Sequence, residues 1–409
     1  MRPKPTILIL LIITFIITST YLTFNRDLGN DESYRFLLGQ EDLKTSLTND
    51  LQPIGYQTFL QLPFSIYGFR TINILLTFLC LIPLMWIAEH YKTNPYITGI
   101  LFITHAQVLN YTTQSTAYIP AILFTLLTIR YYLEKKPVTF LLTATIMVSL
   151  HNLTLLTLLA ILLHHRLEED GKWTRHILLT LGIGTVFTIN YWMNRQYFNW
   201  LQTPDTWQVI NSLFLLSGSI LGFFLLGSLI ITYWKELPTL HKTLLPTPII
   251  LLGLASLWTP IFHDRYLVLL IPATILSLAY LLQQLQGRVR TILTTLTILG
   301  AILTTIIWIG QVPTELQDAN TIIGQGTVLH HSTFSAYPSM IYSPKAIHVL
   351  DLHNYKTSTP IIGKLVVAIH QPNRHYDYEL YQLGKEHQNQ TGQFHYYNNL
   401  VVGEYEKQK

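Results

Sequence analysis

The stretch TILILLIITFIITSTYLTFNRDLGNDESY, residues 6–34, decides how the chain is read. Its first part, residues 6–24, carries no charge, and about 20 apolar residues make a helix long enough to cross a bilayer. Arg2 and Lys4 precede it, as they would in a signal peptide. However, the run ends in TSTYLTFNRD without a small-x-small cleavage site, so it reads as a retained anchor. Beyond it, Asn30 is predicted to be an N-cap that sets Asp31 and Glu32 in the first turn of a short helix. Acids in that position complement the helix dipole and need no further role. Their place against the outer membrane face adds one, because a lipid-borne head group lies at the same level.

The rest of the chain repeats the opening pattern. Of 409 residues, 49% are hydrophobic and only 12% charged, with a mean hydropathy of +0.32. Soluble domains carry about 25% charged residues. Disorder, a disulfide scaffold and a soluble globular enzyme are excluded. Further apolar runs lie near 71–89, 96–110, 115–133, 137–151, 152–165, 177–193, 211–234, 245–262, 266–285 and 291–310. The chain therefore reads as a polytopic α-helical membrane protein of about 11 transmembrane helices, the short pair at 137–165 included. The single cysteine, Cys80, has no intrachain partner and says nothing about redox compartment. A formal charge of +4, spread between apolar runs, gives no footprint for nucleic acid.

Orientation follows from Lys and Arg in the connections. With the N-terminus cytoplasmic, the inner segments hold Arg2, Lys4, Lys92, Arg130, Lys135, Lys136, Arg166, Lys172, Arg175, Lys235, Lys242, Arg288 and Arg290. The outer ones hold Arg26, Arg35, Lys44, Arg70, Arg195 and Arg265. Thirteen against six favours this sense, and an odd number of spans then puts the C-terminal region outside the cytosol. From about residue 311 the pattern changes to alternating segments at 326–332, 346–352 and 364–370, a helix at 376–387 and a closing strand pair around 393–405. The expected division is a membrane domain over 1–310 and a small extracytosolic α/β domain over 311–409.

Two outer segments carry chemistry. In the long first loop, residues 25–70, Leu43, Leu47 and Leu51 suit an interfacial helix, and a second helix starts at Pro53. At 263–282 the chain reads HDRYLVLLIPATILSLAYLL, with His263, Asp264 and Arg265 at an outer mouth. These charges fit a tight turn facing water and lipid head groups. They equally fit a guanidinium binding a phosphate, a contact worth roughly 1.5–3 kcal/mol.

Taken in order, NDESY (30–34), DLQPIGYQTFLQLPFSIYG (50–68), YTTQSTAY (111–118) and DRYLVLLIPA (264–273) resemble the polyprenyl-phosphate-sugar-dependent glycosyltransferases of the GT-C superfamily. The branch most resembled holds the protein O-mannosyltransferases and lipid A aminoarabinose transferases. TVLHHSTFSAYPSMIY (327–342) is similar to the start of that branch's outer domain. Two elements depart from its pattern: Gln52 replaces the histidine of a His-Pro-Pro element, and Ala117 stands where an arginine is usual.

The resemblance implies a sugar donor on a polyprenyl phosphate, a glycan, lipid or protein acceptor, and inverting transfer at the outer face of the cell membrane. It implies Asp31 as general base, Glu32 orienting it or the acceptor, and Arg265 with Tyr266 at the donor phosphate. Tyr34, Asp50, Gln52, Gln114, Tyr118 and Asp264 fall in the matching segments, and His263 directly precedes the last of them, as substrate-binding candidates. No cofactor is expected. A divalent cation is used by some relatives through an Asp-x-Asp motif, which this loop lacks.

A different lipid-linked ligase or polymerase and a secondary transporter are the rival classes. Carriers bury ionisable groups near the bilayer midplane, often in a duplicated half; here charges sit at span ends and no duplication is visible. The histidines crowding the C-terminal region, His330, His331, His348, His353, His370, His375, His387 and His395, form no metal spacing. Trp192, Trp200 and Trp207 with Tyr191 and Tyr197 read as an interfacial aromatic belt.

Overall fold

The computed structural model describes residues 5–41, 53–168, 174–193, 205–256, 262, 264–312, 327–330, 333–343, 345–350, 365–370, 390–396 and 400–407. The chain forms two compact units: residues 1–23 with 42–310, and residues 24–41 with 311–409. Residues 24–41 thus group with the C-terminal segment rather than with the helices that flank them in sequence.

Unit one is helical. It comprises α1 (Pro5–Asn25), α3 (Ile54–Leu60), α4 (Ile66–His90), α5 (Pro95–Ile103), α6 (Ala106–Thr112), α7 (Tyr118–Leu133), α8 (Pro137–Leu150), α9 (Leu155–Glu168) and α10 (Thr174–Met193). It continues with α11 (Thr206–Leu216), α12 (Ile220–Tyr233), α13 (Thr239–Leu244), α14 (Pro246–Ala255), α15 (Asp264–Leu267), α16 (Ile271–Gln284) and α17 (Gly287–Ile309). The helix α2 (Asn30–Gly39) belongs to the other unit.

Most helices fall where apolar runs predicted them, and two runs are broken. The run at 96–110 divides because His105 N-caps α6, its Nδ1 accepting the Gln107 N–H at 3.2 Å. The run at 211–234 bends by 83° between α11 and α12, at Gly218, whose φ of +79° suits glycine. Among the described residues four helices are long and apolar enough to cross a membrane, or five if the bent pair is one span. A 16-residue helix such as α7 rises only about 24 Å, short of the roughly 30 Å hydrocarbon core.

Burial sorts the helices into layers. The continuous segment Asp264–Gln284 has 83% of its apolar window buried, against 17% for Gly287–Ile309 and 28% for α1. α16 is therefore the central element, touching α4, α5, α12 and α17. Phe102, Ile119, Ile122 and Phe140, on α5, α7 and α8, form a fully buried core. α1 and α17 expose Ile9, Ile17, Leu299 and Ile307, an apolar surface suited to lipid. The many threonines need no water there. Thr14 and Thr128 donate to carbonyls one turn back, and Thr77 pairs with Thr112 at 2.7 Å across α4 and α6.

The connections gather at two ends. At one, Gln283 contacts Lys92 and Asn94, Thr239 donates to Glu168, and Tyr280 donates to the Glu236 carbonyl. Basic residues concentrate here. Lys136 and Arg130 flank Glu134 at 2.6 and 2.7 Å, holding its carboxyl below the ordinary carboxylate range. The opposite end of this unit carries the loop between α6 and α7 and the start of α15.

Unit two holds a five-stranded sheet of β1 (Thr327–His330), β2 (Ile347–Leu350), β3 (Leu365–His370), β4 (Gln390–Tyr396) and β5 (Leu400–Lys407), in the order β2-β1-β3-β5-β4. β1 runs parallel to β2 and β3, with Thr327 opposite Ile347 and Leu365; β5 runs antiparallel to β3 and β4. These strands form within the alternating segments. The segment after β1 makes a helix that the sequence pattern did not predict, α18 (Thr333–Tyr342), which packs on α2. The helix expected at 376–387 and the Leu43–Leu51 helix lie outside the described residues.

Candidate functional site

In unit one, three of the four segments quoted for the resemblance converge. Tyr56 of α3, fully buried, donates its hydroxyl to the Ser115 carbonyl at 2.7 Å. Asn73 of α4 donates to the Gln114 and Thr116 carbonyls at 2.6 and 3.3 Å. Together they hold the loop between α6 and α7, which has no ladder of its own to satisfy its carbonyls. Gln114 turns its amide back on Asn110 at 2.7 Å. Asp50, Gln52 and His263 lie outside the described residues.

From that loop an aromatic run leads to the arginine. Tyr111 and Tyr118 contact at 4.5 Å between centroids, Tyr118 and His151 at 5.0 Å, and His151 and Tyr266 at 6.3 Å. Arg265 is half-buried, its guanidinium 4.9 Å over the Tyr266 ring and its Nη2 donating to the Tyr266 hydroxyl at 3.2 Å. Asp264 accepts the Arg265 backbone N–H at 2.8 Å, anchoring the first turn of α15. A planar guanidinium presents its N–H donors in a fixed fork that matches the geometry of a phosphate. The site thus brings Arg265, Tyr266 and Tyr118 together.

Two residues that sequence reasoning passed over belong to this end. His151 fills the break between α8 and α9; as a lone polar residue between two apolar runs it was the available signal. Arg70, counted by the charge pattern among outer-loop charges, is instead fully buried and donates to the Thr23 carbonyl at 2.9 Å. Its ionised fork satisfies an orphan carbonyl at the end of α1.

Close packing fixes α3 here. A Cβ on Gly55 would come within 2.7 Å of the Ser149 carbonyl, a backbone atom that cannot swing aside. Gly55→Ala is expected to destabilise unit one by about 1–3 kcal/mol through overpacking, read as a lowered melting temperature in detergent.

In unit two, Asp31 and Glu32 stand in the first turn of α2, as predicted, but the N-cap is Gly29 rather than Asn30. The shift follows from Glu32, whose Oε2 reaches back to the Gly29 N–H at 3.3 Å and is buried. Such a reach is available only from the third helical position. The Asp31 side chain lies outside the described residues. Tyr34 packs on Tyr337 at 5.1 Å, and the Leu28 N–H donates to the Tyr342 hydroxyl at 3.0 Å. Burial raises the Tyr337 phenol above its ordinary value. Tyr34, a substrate candidate by sequence, is thus also a joint between α2 and α18.

An apolar recess of about 200 Å³, lined by Leu11, Phe15, Thr104, Leu109, Ile302 and Ile306 among others, lies between α1, α6 and α17. Among the described residues its lining is apolar side chains and threonines. Among the described residues no group of three His, Cys, Asp or Glu could hold a metal ion.

No family model and no curated protein matches the chain. Among solved structures, ArnT from Cupriavidus metallidurans bound to undecaprenyl phosphate is similar with a TM-score of 0.63, over 98% of this chain and 98% of that one, at 11% identity. The same protein in the apo state gives 0.59 over 97% of each, again at 11% identity. At that identity the likeness concerns the fold, and function must be argued from the site. The chain is a helical membrane protein that shares its fold with ArnT.

Proposed function

We propose that the chain is a membrane glycosyltransferase that moves a sugar from a polyprenyl-phosphate donor to an acceptor hydroxyl on the extracytosolic face, with inversion. The observation that carries the reading is the run of contacts from Tyr56 to the 111–118 loop, and from Tyr118 through His151 to Tyr266 and Arg265. It stands on a fold shared with a protein solved with undecaprenyl phosphate.

In this reading Asp31 takes the proton of the acceptor hydroxyl as its oxygen bonds the anomeric carbon. The bond from that carbon to the donor phosphate oxygen breaks, and the polyprenyl phosphate leaves with the electron pair. Arg265 stabilises the charge that collects there. The N-terminus of α2 favours the ionised carboxylate, so the base stands ready while remaining weak. That suits a good leaving group and a late proton transfer. The acceptor is a hydroxyl of a glycan, lipid or protein, and no step calls on a metal.

Sidedness tests the reading directly. Cys80 is buried, so single cysteines at Gln40 and Leu62, both exposed, can be labelled in intact cells with a membrane-impermeant maleimide. Both are expected to label from outside. Labelling of the two from opposite faces, or of both only after lysis, removes the proposed reaction.

A further inference from the structure

The geometry points to His151 as a positioning residue that holds the phosphate-binding arginine in place through Tyr266. The inference rests on the reading of Arg265 as the phosphate ligand and adds to it the element that aims the side chain.

His151 sits where the backbone is extended between α8 and the turn that opens α9, with φ −153° and ψ 125°. Its Nδ1 accepts the Leu153 N–H at 3.3 Å, and its carbonyl accepts the Thr154 hydroxyl at 2.7 Å. The ring is therefore fixed from its own chain. One side meets Tyr118, which Tyr111 backs; the other meets Tyr266 edge-to-face. Tyr266 then grips Arg265 twice, through its hydroxyl and through its ring face.

Two uses of such a run can be weighed. As a sugar-stacking platform it would need open ring faces. Tyr111, Tyr118 and His151 are only 7%, 5% and 4% exposed, and each ring contacts the next. As a strut the burial is what is required. Arg265 stands in the first turn of the continuous segment Asp264–Gln284, where a long side chain keeps several rotamers unless a neighbour selects one. The strut links that first turn to α7 and α8, which are packed on each other along their length. A fork that must meet phosphate oxygens within a fraction of an ångström gains most from such backing.

The test separates ring from cap. His151→Asn keeps an acceptor for the Leu153 N–H and removes the ring; His151→Phe keeps a ring and removes the acceptor. Binding of undecaprenyl phosphate to the purified full chain is measured beside its melting temperature. His151→Asn is expected to weaken binding about tenfold with little change in melting, and His151→Phe to recover most of that loss while melting lower. Equal binding by wild type and His151→Asn overturns the inference. Should His151→Asn fail to fold, Tyr118→Leu, which leaves the cap untouched, carries the test: unchanged binding again overturns it. Arg265→Gln run in parallel isolates the parent reading. If it binds the lipid as wild type does, the phosphate assignment fails; if it loses binding while the His151 and Tyr118 variants do not, only the strut fails.

Discussion

Asp31→Asn is expected to lower turnover by about 10²–10⁴-fold while donor binding stays within about threefold, the amount a positioned base supplies. The exchange keeps the side chain's shape and removes only its power to take a proton. Asp31 occupies the second position of α2, where loss of the charge costs roughly 0.3–1 kcal/mol of helix-dipole stabilisation. A large fall in rate would therefore not be a folding effect. The measurement is the rate of sugar transfer from a polyprenyl-phosphate donor in reconstituted vesicles, with melting followed in parallel. A carrier of the same fold would keep its flux through this substitution, and transfer at the wild-type rate would strip Asp31 of its role. Glu32 is not an equivalent control. Its buried carboxylate serves the Gly29 N–H, so its replacement disturbs the turn that presents Asp31.

The helices were legible because lipid imposes one requirement, an apolar run, that hydropathy reads directly. What hydropathy does not see is a break inside such a run. The polar groups freed at His105 and at Gly218 answer each other across the fold: the His105 ring and the Leu216 carbonyl lie 3.2 Å apart. Neither residue interrupts the apolar pattern enough to announce a turn. Among the described residues four or five helices reach the length of a span, and other apolar runs form helices of 10–17 residues. In the C-terminal segment the strands were legible by alternation, whereas α18 was not. Its sequence, TFSAYPSMIY, carries Pro338 and an irregular apolar spacing, and its stability comes from packing on α2.

The site divides in a similar way. Arg265, Tyr266 and Tyr118 were legible because their motifs are short and local. Arg70 looked like one more loop charge, because burial of a charged side chain depends on a partner remote in sequence, here the Thr23 carbonyl. His151 looked like a boundary between two spans, since its contact with Tyr266 is purely tertiary. Tyr34 is a substrate candidate through the resemblance alone; its contact with Tyr337, again tertiary, could not be read from the local sequence.

Arg265→Gln is expected to cut turnover about 10²–10³-fold, the scale of losing one preorganised donor to a developing anion, and to raise the donor KM as well. Glutamine is neutral and has a single pair of amide donors. It can keep the bond to the Tyr266 hydroxyl or face a phosphate, but lacks the fork to do both. Arg265→Lys separates charge from shape. It restores a cation without the planar surface that lies 4.9 Å over Tyr266, so part of the rate should return while the KM for donor stays high. If the lysine variant matched wild type in both constants, a point charge would suffice and the stacked geometry would be incidental. If the glutamine variant did so, the leaving phosphate would have to be held elsewhere. The ordering wild type, then lysine, then glutamine, with kcat recovering further than KM in the lysine variant, is the pattern that a guanidinium aimed by an aromatic neighbour produces.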